Sequence, residues 1–169
     1  CLDASVGAAV WTGLLYSQAT NVAGGTSALF SNTTGTGLVA FGFNALRTNS
    51  TGFHDVAIGY QALFSNTSGF RNVAIGFEAL FSNTGANSNT AIGHAALRTN
   101  TASGNTAFGS EALRSNTSGA SNTAIGNIAL FSNTTGAQIM ALGHSALFSN
   151  TTAGNNTAIG FAALFSNTT

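Results

Sequence analysis

The chain of 169 residues has no proline, no lysine and a single cysteine. Charge is scarce. Only 5% of residues carry it, against roughly 25% in ordinary soluble domains, and four arginines balance four acids. No basic stripe is available to displace counterions from phosphates, which argues against a nucleic-acid partner. The polar surface must come from Asn, Thr and Ser, and a neutral surface does little to repel copies of itself. With Cys1 alone, no internal disulfide can form. Cys1 has three readings: the place where the chain happens to begin, a lipid-modified N-terminus exposed by processing, or a cross-link to another chain. No targeting segment is visible, although a signal peptide could already have been removed. The apolar stretch Val6 to Tyr16 is too short to span a bilayer, which needs ~20 residues, so no membrane span is expected.

What the chain has instead is repetition. Nine glycines stand in register: Gly25, Gly42, Gly59, Gly76, Gly93, Gly109, Gly126, Gly143 and Gly160. The step is 17 residues, except for one of 16 between Gly93 and Gly109. A leucine follows each glycine four residues later, as in Leu63, Leu80, Leu97, Leu130 and Leu164. A unit this short cannot bury a core alone, so neighbouring units must stack. Helical solenoids need repeats of about 33 residues and propeller blades about 40. The expected fold is therefore all-β, a parallel β-solenoid of nine roughly 17-residue coils with two short strands per coil. Coils rising about 4.8 Å each would form a rod of roughly 43 Å. Residues 21–169 would form the solenoid, and residues 1–20, which include Asp3, Trp11 and Tyr16, an N-terminal cap or inter-subunit segment. The 16-residue step should shorten a turn rather than a strand.

Comparing the nine copies shows what each position accepts. Two before the glycine stands alanine in every copy, including Ala57, Ala74 and Ala91. The residue just before the glycine is large and apolar in eight copies, and the residue three before is Val, Thr or Met. This large-small-large alternation is that of a strand. Ile58, Ile75, Ile92, Ile125 and Ile159 are expected to fill the coil with the leucines. The alanines would then face outward, towards a surface that admits nothing larger. Two tolerant positions after the glycine read as a solvated rim, with the glycines from Gly42 to Gly160 as structural turns.

The second expected strand is Ala-Leu-Phe/Arg-Ser/Thr-Asn. The residue after its leucine alternates between Phe64, Phe81, Phe131, Phe148 or Phe165 and an arginine such as Arg47. A position that takes both is not interior, since an unpaired buried guanidinium is too costly. It suits a half-exposed ladder in which rings stack and an arginine lies over a ring. This ladder and the alanine column are the candidate oligomer faces. Asn32, Asn49, Asn66, Asn116, Asn133, Asn150 and Asn167 lie in one turn column, where asparagines can bond amide to amide. Each of these, and Asn155, also begins an Asn-x-Ser/Thr sequon. Turn chemistry alone explains them; glycosylation is the alternative.

Catalytic signals are weak. His94 and His144 share a column but stand three coils apart, about 14 Å, too far to hold one metal ion. Glu78 and Glu111 share a column at about 10 Å, which could mimic an inverting glycosidase pair, but that column reads as exposed. There is no Gly-Lys-Ser/Thr phosphate loop. Thr90, Thr106, Thr123 and Thr157 could suggest an ice-binding array, yet Val and Met interrupt them. No enzyme, cofactor or metal is expected.

The motif N-[TV]-A-[IF]-G-x-x-A, as in Asn89 to Ala96 and Asn156 to Ala163, resembles the head repeat of trimeric autotransporter adhesins, the YadA-like, haemagglutinin-type repeat. The similarity covers residues 21–169. It implies that each repeat forms one coil of a left-handed parallel β-roll and that three rolls pack into an extracellular trimer that binds host or matrix surfaces. It further implies that the Ala91 column permits close packing while Ile92 and Leu97 fill the roll. The repeat here is longer than the usual one by a Ser-Asn-Thr-Thr turn. The expectation is a non-enzymatic extracellular or cell-surface protein, structural and adhesive. It would associate with itself as a homotrimer, as a head-to-tail filament through open coil ends, or as both. The alternative is a trimeric adhesin head or phage-type fibre module for host ligands.

Overall fold

The computed structural model describes residues 20–168. The expected cap, with Cys1, Asp3, Trp11 and Tyr16, lies outside the described residues apart from Thr20. Thr20 is already in solenoid register, because its hydroxyl accepts the Gly37 N–H at 2.8 Å, 17 residues on.

Nine three-residue strands follow one another: β1 (Val22–Gly24), β2 (Val39–Phe41), β3 (Val56–Ile58), β4 (Val73–Ile75), β5 (Thr90–Ile92), β6 (Thr106–Phe108), β7 (Thr123–Ile125), β8 (Met140–Leu142) and β9 (Thr157–Ile159). They form one parallel sheet in sequence order. Register is set by the repeat, with Ala57 beside Ala74 and Ala74 beside Ala91. The chain is thus a β-solenoid, and no helix occurs among the described residues. Across the short step Thr90 still pairs with Thr106, so the missing residue comes out of the turn between Asn100 and Asn105, as expected.

The second expected strand is absent. From each glycine to the next asparagine the backbone turns, and every leucine of the column has a positive φ, for example Leu63 at 51° and Leu97 at 50°. So does the residue two before it, such as Gln61 at 52°. A left-handed leucine costs about 1–2 kcal/mol. Two gains offset that cost. The Leu63 side chain is fully buried. Its N–H reaches the next coil at the Ala79 carbonyl (2.9 Å), while the Gln61 N–H reaches back to the Phe43 carbonyl (2.9 Å). Backbone groups therefore bond to both neighbouring coils without extended chain. The glycine corner has no such freedom. Gly59 sits at φ 135°, and a Cβ there would lie 2.4 Å from the Gly76 carbonyl oxygen of the next coil, so only glycine fits.

The strands alternate as expected, but in the opposite sense. Ala57, Ala74 and Ala91 are fully buried, so they line the interior and are not an oligomer face. Ile58, Ile125 and Ile159 are exposed, and Ile75 and Ile92 are only half-buried, so the isoleucines lie outside the coil rather than in its core. The reason is width. Within a 17-residue coil, the opposite wall supplies a second alanine and the leucine, as in Ala62 and Leu63, both fully buried. Ala, Ala and Leu already fill the space between the strand and the opposite wall, leaving no room for Ile at the strand's inward position. The leucine column is interior as expected from Leu46 to Leu147, while Leu29 in the first coil is half-buried and Leu164 in the last described coil is exposed.

Candidate functional site

Two columns line the outer face of the sheet, and a third follows the glycine corner. The first two are the outward residues of the strands: Val39, Val56 and Val73 give way to Thr90, Thr106 and Thr123, beside Phe41, Ile58, Ile75, Ile92 and Phe108. Ile58 is 38% exposed and Phe108 54%. The third column begins just after the glycine corner. There Phe43, Tyr60, Phe77 and His94 stack face to face, with ring centroids 5.3, 5.0 and 5.4 Å apart. The tolerant rim of the sequence is, over these four coils, an ordered aromatic ladder. Ser110 and Asn127 interrupt it before His144 and Phe161 resume it at 5.3 Å. The strand columns carry no charged residue. The wall is most apolar over coils β2 to β4, where Val, Phe or Ile, and a Phe or Tyr ring coincide.

The phenylalanine-arginine column is the half-exposed ladder that its composition predicts. Phe64 stacks on Phe81 at 5.2 Å, Phe131 on Phe148 at 5.3 Å, and Phe148 on Phe165 at 5.0 Å. The Arg47 guanidinium lies 5.5 Å from the Phe30 ring and 5.8 Å from the Phe64 ring. Arg98 covers Phe81 and pairs with Glu78; Arg114 covers Phe131.

The turn asparagines are inside. Asn66 Nδ2 donates to Asn49 Oδ1 at 2.9 Å, Asn83 Nδ2 to Asn66 Oδ1 at 3.0 Å, and Asn133 Nδ2 to Asn116 Oδ1 at 2.8 Å. This is the amide ladder expected from the column. The same placement removes most candidate glycosylation sites: Asn49, Asn66, Asn116, Asn133 and Asn150 are fully buried, with no room for a sugar. Asn32 and Asn167 are half-buried members of the same ladder. Asn155 is the exposed sequon.

The ladder breaks once. Asn100 sits before the shortened turn and bonds Ala102, two residues on (2.7 Å), where regular copies bond the residue three on. Its amide is drawn off line, and the buried Oδ1 of Asn83 is left without a partner.

A second interior ladder escaped the sequence reading. It occupies the position four before the glycine, with Asn72, Asn89, Asn105 and Asn122 all fully buried. Each Oδ1 accepts the N–H of the same position one coil on, as from Asn89 to Asn72 at 3.0 Å and from Asn122 to Asn105 at 2.9 Å. The recurrent Asn before Thr-Ala-Ile-Gly was the available signal. Leu38 and Ile139 replace it in two coils, and Asp55 replaces it in one. Asp55 is buried and accepts three hydrogen bonds, from Asn72 N–H (2.8 Å), Asn72 Nδ2 (3.1 Å) and Asn66 Nδ2 (3.1 Å). Loss of water raises its carboxyl from 3.8 to about 7, the three bonds opposing the rise.

The remaining titratable groups do not converge. Glu78 is engaged by Arg98, and Glu111 lies 4.0 Å from an exposed His94, so the two glutamates face different partners. Among the described residues no group of three or more His, Cys, Asp or Glu is placed to hold a metal ion, and no helix is long and apolar enough to cross a membrane. The chain matches no protein-family model, no curated protein and no solved structure.

Proposed function

We propose that this chain is a non-enzymatic structural and adhesive protein, a fibre or filament subunit that acts by associating with copies of itself. The observation that carries the reading is the outer wall: the half-buried Val56, the exposed Ile58 and Tyr60 and their equivalents are held in straight columns, and the two strand columns carry no charged residue. Exposed apolar surface of this extent marks interaction sites in soluble proteins. A second copy is the partner best suited to it. Its side chains repeat at the same rung spacing, so every rung can be matched at once, and the strand columns bring no charge that must be desolvated. The mating face is therefore the isoleucine side of the sheet, not the alanine side. The extracellular or cell-surface setting rests on the likeness of the repeat to autotransporter adhesin heads, for which a trimer is the natural assembly. In that reading the outward columns of three rods meet, and host or matrix ligands would bind the surfaces left over.

Molecular mass in solution tests this, measured by sedimentation equilibrium. A defined oligomer, abolished by Ile58→Ser with Ile75→Ser, supports lateral pairing. Growth without limit that survives those substitutions favours end-to-end stacking instead. A monomer at high concentration removes self-association.

A further inference from the structure

Asp55 is the one acid in a column otherwise filled by amides and two aliphatic residues. In that column Asn72, Asn105 and Asn122 each do two things. The Oδ1 accepts the next coil's N–H, and the Nδ2 donates to a carbonyl 14 residues on: Asn72 to Ala86 at 3.0 Å, Asn105 to Gly119 at 2.9 Å, and Asn122 to Gly136 at 2.8 Å. Asp55 performs the first task unchanged, its Oδ1 accepting the Asn72 N–H at 2.8 Å. Its Oδ2 replaces the Nδ2 of the others and accepts Asn66 Nδ2 at 3.1 Å; by register the carbonyl 14 residues on is that of Gly69, to which the same Asn66 Nδ2 donates at 3.0 Å. A neutral carboxyl has a proton to donate there; a carboxylate has none, and sets a charge against a carbonyl dipole in a fully buried site.

We propose that Asp55 is a proton-operated lock on the third coil: protonated, it completes the amide ladder, and ionised, it loosens the coil that carries Val56 and Ile58 on the outer wall. Among the described residues no cation is paired with it. The donors to it are uncharged amides, and Leu38 occupies the same position one coil back. The adjacent His54 and Arg71 are exposed, His54 edge-on to Phe53 and Arg71 over Phe70. Neither ion pair among the described residues involves Asp55. The raised carboxyl, about 7 against 3.8, gives the direction. The folded chain holds a proton that the unfolded chain releases, so stability is full below about 3.8, falls between there and about 7, and is flat above. Because β3 begins at the next residue, the lock also governs the face used in the proposed self-association, and that part rests on the proposed function.

The test is urea unfolding of the whole chain and of Asp55→Asn from pH 4 to 8.5. Asp55→Leu serves as a second variant, since the column already accepts Leu38. The parent's folded-to-unfolded ratio should fall up to about tenfold per pH unit across the window, the slope of one proton, and both variants should lack that slope. A protonated-carboxyl infrared band at pH 6, present in the parent and missing from Asp55→Asn, would identify the proton. Equal slopes in parent and variants, or a flat parent, overturn the lock. Sedimentation at the same pH values separates the two claims: a monomer throughout removes the self-association reading, while the lock stands or falls on the slopes.

Discussion

Ala91 and Ile92 are consecutive residues on the two sides of one strand. The smaller is sealed inside the coil and the larger half-open to solvent. In a globular core, size and apolarity rank residues by burial. In a coil this narrow, cross-section decides first. The interior takes Ala, Ala and Leu with two further side chains, amides in most coils and Leu38 or Ile139 in two, and the large residue of the strand goes outside. The inside is then complete within one chain, because each rung is capped by the next. The outside is complete only if another chain supplies what the solenoid cannot.

The comparison is broken most severely by emptying the inside. Leu97 is fully buried and already held at an unfavourable φ of 50°. Leu97→Ala leaves a cavity between rigid rungs and should cost about 2–5 kcal/mol, read as a lowered urea midpoint. Overfilling is the next test. Ala91→Leu places three extra carbons against the opposite wall and should cost about 1–3 kcal/mol or more. If Ala91→Leu were neutral, the width argument would fail.

These residues also mark how far the sequence could be read. Stacking, register, the leucine column, the Asn66 ladder and the rings over Phe64 and Phe81 all follow from exact recurrence, because stacked identical rungs put like beside like. Recurrence does not say which side of a strand is inside. Alternation of period two distinguishes Ala91 from Ile92 without assigning either a direction, and hydrophobicity assigned them the wrong way round. The second strand misled for another reason. Left-handed backbone usually announces itself through Gly or Asn, and here leucine adopts it because burial and inter-coil bonds compensate. The Phe43, Tyr60, Phe77 ladder was diluted by Ser110 and Asn127 in the same column, so it read as tolerance.

The interior amides allow a finer comparison. Asn116 Nδ2 bonds Asn100 and Gly119, and its Oδ1 receives Asn133. Asn83 makes the equivalent Nδ2 bonds to Asn66 and Ala86, but its Oδ1 has no partner. Asn116→Ala should therefore cost about 1 kcal/mol more than Asn83→Ala, one hydrogen bond's net contribution. Hydrogen exchange should also be fastest, within the interior coils, at the shortened turn from Asn100 to Asn105. Equal costs and uniform protection would show that the ladder bonds act as a block rather than singly.

The smallest effect on the single chain is expected outside. Ile92→Ser removes a half-exposed side chain from the outer face of β5, and a surface change of this kind shifts stability by about 0.5 kcal/mol or less. If the outer wall is a mating face, the same substitution should lower the association constant at least about tenfold, because in the oligomer Ile92 would be fully buried and worth about 1.5–3 kcal/mol. The two readouts must separate. Should Ile92→Ser unfold the monomer as Ala91→Leu does, the column belongs to the fold and not to a partner. Should both mass and stability be untouched, the wall is simply the side of a narrow coil where large residues are tolerated, and the search for a partner moves to the Phe131, Phe148, Phe165 ladder.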